Sequence, residues 1–157
     1  MSDPCYHVVV IAHAPSPNTR RLRDAVLRGL NNPDIDQVSA RWVAPLEAGP
    51  EDVLSADAVI LGTPENLGTM SGALKDFFDR SYYHCLDHTD ALPFAVYIRA
   101  GHDGTGTRRA IESITGGLRW KAIQAPLVCQ GEFDPAFESQ CEELGLMMAA
   151  GLESGLF

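Results

Sequence analysis

An α/β domain with a buried parallel sheet is predicted by three features of this 157-residue chain. Short apolar runs alternate with amphipathic stretches from end to end. Two of the runs contain continuous apolar triplets, Val9-Val10-Ile11 and Val59-Ile60-Leu61, which mark strands buried on both faces. The order β-α-β-α-β-α-β-α-β then requires right-handed crossovers between parallel strands.

The first strand is expected over residues 7–12 (HVVVIA). A helix follows over about residues 19–30, because Leu22, Ala25, Val26 and Leu30 form one stripe at i, i+3, i+4 and i+8. A weaker strand lies near residues 36–43, and a short helix at about residues 50–55. The third strand is residues 58–62 (AVILG), and Met70, Ala73, Leu74, Phe77 and Phe78 mark a helix over roughly residues 71–82. The fourth strand is residues 94–98 (FAVYI); its helix carries Ile111, Ile114 and Leu118 and is weakened at its end by Gly116-Gly117. Residues 122–128 (AIQAPLV) form the fifth strand, and Cys141, Leu144, Met148, Ala149 and Leu152 the stripe of the last helix.

The length suits one domain spanning residues 1–157, and 45% apolar with 21% charged residues exclude a disordered chain. A net charge of −9 removes any general attraction to nucleic-acid phosphates or anionic membranes. Local cations at Arg20, Arg21 and Arg23 and at Arg108 and Arg109 are too few to reverse this. The stretch from Met1 to Tyr6 has no signal-peptide pattern, and no apolar run approaches the ~20 residues of a membrane span. A cytoplasmic location is expected. Cys5, Cys85, Cys129 and Cys141 form no CxxC pair, so free thiols are expected, with neither a zinc site nor a disulfide framework. No GxSxG elbow is present to support a hydrolase.

Ligands of open parallel sheets bind beyond the carboxyl ends of the strands. That selects the loops at residues 13–19, 63–70 and 100–106, all rich in Gly, Ser, Thr, Asn or His. The first reads A-H-A-P-S-P-N-T-R-R-L. It enters a helix N-terminus, where unpaired N–H groups and the helix dipole suit a phosphate, and Ser16, Asn18 and Thr19 add side-chain donors. Simple capping by Asn18 or Thr19 remains the alternative. The spacing is neither a Walker A loop nor a GxGxxG turn, which excludes the usual ATP and dinucleotide sites.

The second loop runs Thr63-Pro64-Glu65-Asn66-Leu67-Gly68-Thr69-Met70-Ser71-Gly72, then Leu74-Lys75 and Phe77-Phe78-Asp79-Arg80. This segment resembles that of NADPH-dependent FMN reductases and flavodoxin-like quinone reductases. Ser16-x-Asn18-Thr19 is similar to the same family's phosphate loop. The third loop, with Ala100, Gly101, His102 and Gly104, resembles its Gly-rich flavin loop. The resemblance implies a flavodoxin-like three-layer sandwich with a five-stranded sheet ordered 2-1-3-4-5. It implies FMN, its phosphate on Ser16, Asn18 and Thr19. The ring edge would lie along Pro64, Glu65, Asn66, Leu67, Gly68 and Met70, and Ala100, Gly101, His102 and Gly104 would meet its other side. NAD(P)H is the implied electron donor and a quinone or similar small molecule the acceptor. No separate catalytic residue and no metal is implied. An electron carrier and a flavin-free descendant of the fold are the competing readings. Related reductases often complete the pocket with a second subunit, which suits a homodimer or tetramer.

Two departures stand out. Pro17 replaces the Gly usual in the phosphate loop, which removes a donor. The second loop offers Leu67 and Met70 where a carrier places aromatic covers, which leaves one ring face open to a nicotinamide or quinone. Tyr82, Tyr83 and His84 either close over the pocket or pack under the following loop. Gly68 and Gly101 are both expected to exclude bulky side chains, because the two loops must approach the ring at backbone distance.

Overall fold

The computed structural model describes residues 3–157; Met1 and Ser2, the first residues of the polar N-terminal stretch, lie outside the described residues. Strand β1 (Tyr6–Ala12) leads to α1 (Pro17–Leu30), β2 (Val38–Val43), α2 (Pro50–Leu54) and β3 (Ala58–Asn66). Then come β4 (Thr69–Met70), α3 (Gly72–Cys85), β5 (Pro93–Ala100) and α4 (Thr105–Leu118). The chain ends with β6 (Lys121–Ala122), β7 (Leu127–Gln130) and α5 (Pro135–Glu153).

The sheet runs β2-β1-β3-β5-β6, with β7 also on β5 and β4 on β3. Every pair is parallel except the β3–β4 hairpin. Segments β6 and β7 both lie along β5, as two halves of one edge strand, so the expected order 2-1-3-4-5 holds. The predicted continuous strand at residues 122–128 is broken in the middle, where Pro126 has no N–H to give to a ladder. The hairpin strand β4 was not predicted, and β3 runs four residues beyond its expected end at Gly62.

Strand alternation divides the core in two. Val8, Val10, Ala12 and Ile60 face α1 and α5, against Leu22, Val26, Leu144 and Met148. Val9, Ile11, Val59 and Leu61 face the other side, against Leu74, Phe77, Phe78 and Ile111. The apolar triplets are thus buried on both faces, as their composition requires. Helix starts are marked chemically: Ser16, Ser71 and Asp134 each accept a first-turn N–H, and Pro17, Pro50 and Pro135 occupy the first helical positions. Helices α1 and α5 touch backbone to backbone. A Cβ on Gly29 would stand 2.0 Å from Glu142 O, and one on Gly145 2.2 Å from Val26 O.

Candidate functional site

The three selected loops meet at the carboxyl edge of the sheet. In the first, the His13 N–H donates to Gly62 O at 2.9 Å and extends the β1–β3 pairing. Ser16 caps α1: the Thr19 N–H donates to Ser16 Oγ at 3.2 Å, and the Ser16 N–H donates to Thr19 Oγ1 at 2.9 Å. The Thr19 hydroxyl in turn donates to Ser16 O at 3.0 Å, and Thr19 is buried. Its expected role as a phosphate donor is therefore corrected: Thr19 shapes the loop from within. Asn18, half-buried, keeps its side-chain amide free of internal bonds.

The second loop is a two-residue hairpin. Glu65 pairs with Met70 and Asn66 with Thr69, while Leu67 (φ 52°) and Gly68 (φ 81°) make the turn. Two positive φ values in succession fit the twist of flanking strands, and they favour Asn-Gly over Leu-Gly. The hairpin is fixed at both ends. At its root the buried Thr63 hydroxyl donates to Pro64 O at 2.8 Å and accepts the Ser71 N–H at 3.0 Å. At its tip Gly68 O lies so close to α4 that a Cβ on Gly106 would stand 1.9 Å from it. Met70 is 4% exposed and belongs to the core with Leu74 and Phe77, so its expected place beside a ring is corrected. It ends β4, two residues ahead of α3, and its side chain joins the core cluster that the α3 stripe lines. Leu67, by contrast, stands wholly in solvent.

The third loop is tied to the second, with Glu65 Oε1 accepting the His102 N–H at 3.1 Å. Arg99 Nη1 donates to Ala100 O at 2.9 Å and to Cys129 O at 3.0 Å, which holds the strand end. Asp103 Oδ1 accepts the Thr105 N–H at 3.0 Å, and its hydrogen bonds to Thr105 keep its carboxyl below the usual range. Glycine freedom is needed at Gly104 (φ 71°) and not at Gly101, whose backbone is ordinary. Yet Gly101 and Gly68 both face open space, where an added Cβ meets nothing within 4 Å. A flat ring needs that kind of bare backbone to approach, so these residues fit a bound flavin.

A family model for NADPH-dependent FMN reductases matches residues 16–129, from the capping Ser16 to the end of the sheet. The chain belongs to this family. FMN is accordingly its cofactor. A curated flavodoxin of Aquifex aeolicus (strain VF5) is 31% identical over 107 residues, 68% of this chain and 57% of that protein. The match thus spans little more than half the relative's length. Among solved structures, a flavodoxin from the domain Archaea overlays with a TM-score of 0.77 at 14% identity, covering 92% of this chain and 96% of that one. A WrbA-like flavodoxin of Agrobacterium tumefaciens gives a TM-score of 0.72 at 19% identity with the same two coverages. These likenesses show the fold.

Other features of this FMN reductase family member were not visible in its sequence. Trp42, at the end of β2, donates from Nε1 to Ala12 O at 2.9 Å and carries the Arg23 guanidinium 4.4 Å above its ring. It pins the root of the first loop. An aromatic at the carboxyl end of a strand neighbouring the first was the one available signal. Tyr82, Tyr83 and His84 do not close over the site. They lie in the last turn of α3, which starts at the ligand edge and, at ~1.5 Å per residue, carries them about 15 Å along the helix from its start. Tyr82 packs against the core and Tyr83 is 82% exposed. The thiols take no part in the cleft: Cys85, Cys129 and Cys141 are buried, and a hydrogen bond to Cys129 with burial pushes the Cys141 thiol up. Among the described residues no helix is long and apolar enough to cross a membrane.

Proposed function

We propose that this chain is an FMN-dependent oxidoreductase acting between NAD(P)H and a quinone or similar small-molecule acceptor. Bound FMN supplies the hydride-accepting and electron-donating chemistry. Ser16 and Asn18, with the free N–H groups of the first loop, hold its phosphate. The backbone from Pro64 to Gly68 runs along the ring edge, with Leu67 as its apolar side, and Ala100, Gly101, His102 and Gly104 line the opposite wall. No side chain need gain or lose a proton, so the protein's part is to position and to exclude.

The observation that carries this reading is a cleft assembled in advance. Glu65 and Gly68 are locked onto His102 and the first turn of α4, and the hairpin tip presents Leu67 with no aromatic cover. An uncovered ring face admits a nicotinamide at the roughly 3–3.5 Å that hydride transfer requires. A homodimer or tetramer would suit the exposed Leu67, which a second subunit could cover. Mixing the FMN-loaded chain with NADPH or NADH without oxygen should bleach the flavin in one two-electron phase. Adding a benzoquinone should then restore the oxidised spectrum. The second reading, an electron carrier, is favoured by the flavodoxin relative and by a net charge of −9 suited to basic redox partners. Inertness toward both nucleotides, with dithionite reducing the flavin in two separate one-electron phases, selects the carrier instead.

Asn18→Ala should weaken FMN through loss of one hydrogen bond to a charged group, about 1.5–3 kcal/mol. Riboflavin, which has no phosphate, should bind this variant as it binds the wild type. Calorimetry with both flavins checks this, and an equal loss for the two would remove Asn18 from the phosphate site.

A further inference from the structure

Most of the positive charge of this chain is neutralised where it stands. Eight of its twelve lysines and arginines form ion pairs with carboxylates among the described residues. Arg20, Arg99, Arg109 and Lys121 do not. Of these, Arg20 lies near the start of α1, Arg99 at the end of β5 and Arg109 in the second turn of α4, all toward the ligand edge of the sheet. Arg99 donates to two carbonyl groups, whereas the exposed Arg109 side chain has no partner at all. In a chain of net charge −9, an unpaired cation beside the cleft is a local attraction for an anion that the rest of the surface repels.

A groove opens beside Arg109, between the hairpin and helices α3 and α4. Its volume is about 560 Å³, and Asn66, Leu67, Thr69, Lys75, Ser113 and Ile114 are among its lining residues. Arg109 stands three residues after Gly106, on which the hairpin tip rests, and four before Ser113. That spacing sets all three on one side of α4 and brings the guanidinium to the rim of the groove. Leu67 and Ile114 are apolar walls suited to a flat base, and Asn66, Thr69 and Ser113 supply hydrogen-bonding groups. On the α3 side, Lys75 is held by Asp79 at 2.6 Å. That pair is exposed and so worth little, which leaves the ammonium free to turn to a ligand. Leu67 belongs to two places at once: it lines the groove, and it forms the tip of the hairpin assigned above to the ring edge. A ligand lying across the tip reaches both.

We propose that this groove holds the adenosine half of the nicotinamide donor, with the Arg109 guanidinium on its 2′-phosphate. The planar fork of arginine matches a phosphate, and the 2′-phosphate is the group that separates NADPH from NADH. The chain accordingly takes NADPH in preference to NADH. The proposal rests on the oxidoreductase reading above and places the donor that it names.

Calorimetry of the FMN-loaded chain with adenosine 2′,5′-bisphosphate and with adenosine 5′-phosphate tests it without turnover. The bisphosphate should bind about tenfold or more tighter, the equivalent of one hydrogen-bonded contact to a charged group. Arg109→Gln should bring the bisphosphate down to the level of the monophosphate. Ser113→Trp, which fills the groove from an exposed position, should exclude both nucleotides. Neither variant should alter FMN affinity. In steady-state assays Arg109→Gln should raise KM for NADPH about tenfold, with kcat and the KM for NADH unchanged. Equal binding of the two nucleotides by the wild type, or wild-type affinity for the bisphosphate in Arg109→Gln, overturns the proposal, and reduction of the flavin by either dinucleotide then keeps the reading beneath it. A flavin that neither NADPH nor NADH reduces overturns both. A dimer that Ser113→Trp converts to monomer in sedimentation, with no nucleotide bound by the wild type, assigns the groove to a second copy of the chain and also overturns the proposal. Should Ser113→Trp fail to fold, Arg109→Gln decides.

Discussion

Gly106→Val should raise the Kd for FMN by about 100-fold while the protein stays folded. The added Cβ would lie 1.9 Å from Gly68 O, where a carbon and an oxygen need about 3.3 Å. The obstacle is backbone, so no rotamer change relieves it. Either α4 or the hairpin must move, and the hairpin is the softer of the two. Helix α4 is anchored in the core through Ile111 and Leu118, whereas the hairpin tip is exposed and held by the Glu65–His102 bond and by Gly68 itself. A misplacement of about 1 Å can cost a factor near 100 in the rate of a positioned reaction, and a loss of similar size is expected here in flavin affinity. Riboflavin should suffer as much as FMN, because the damage lies on the ring side of the cleft and leaves the first loop intact. Flavin-fluorescence titration, with far-UV circular dichroism as the folding control, measures both. Wild-type affinity in this variant would show that the docked hairpin tip has no bearing on flavin.

A large loss of stability is expected from Gly145→Ala. Its Cβ would stand 2.2 Å from Val26 O and 3.0 Å from Leu30 N, both backbone atoms of α1. The two helices must separate, which loosens Leu22, Val26, Leu144 and Met148 in the same cluster. Overpacking of this kind costs about 1–3 kcal/mol and occasionally more. Alanine's better helix propensity returns at most about 1 kcal/mol. A net loss near 2 kcal/mol lowers Tm by roughly 4–8 °C in a chain of this size. Gly116→Ala makes the same chemical change on α4, where an added Cβ meets nothing within 4 Å. It should therefore stabilise by up to about 1 kcal/mol. Urea denaturation of both variants gives the comparison, and a Gly145→Ala protein as stable as the wild type would contradict the close approach of α1 and α5.

Most of the secondary structure could be read from local pattern. The stripe Leu22, Ala25, Val26 and Leu30 places α1, and the valine-rich triplets place β1 and β3, because burial on a helix face or on both strand faces recurs at short spacing. Met70 was ambiguous, because it counts both as a residue of the second loop and as the first position of the predicted helix stripe, and it lies on β4 just ahead of α3. Nothing local distinguishes those two uses, and core burial settled it. Thr19 was ambiguous in a similar way. As a residue type it serves equally as a phosphate donor or as half of a capping box, and only the Ser16–Thr19 bonds separate the roles.

Residue order thus determined the alternation of strands and helices, and with it the edge of the sheet where the ligand loops gather, since both follow from hydrophobic period and chain direction. The tertiary structure alone decided how that edge is assembled. Trp42 reaches Ala12 across 30 residues, Glu65 reaches His102 across 37, and Gly68 O settles on Gly106. Such contacts form between segments that only the packed sheet brings together. They depend on the exact height and twist of neighbouring strands, which no short-range pattern encodes.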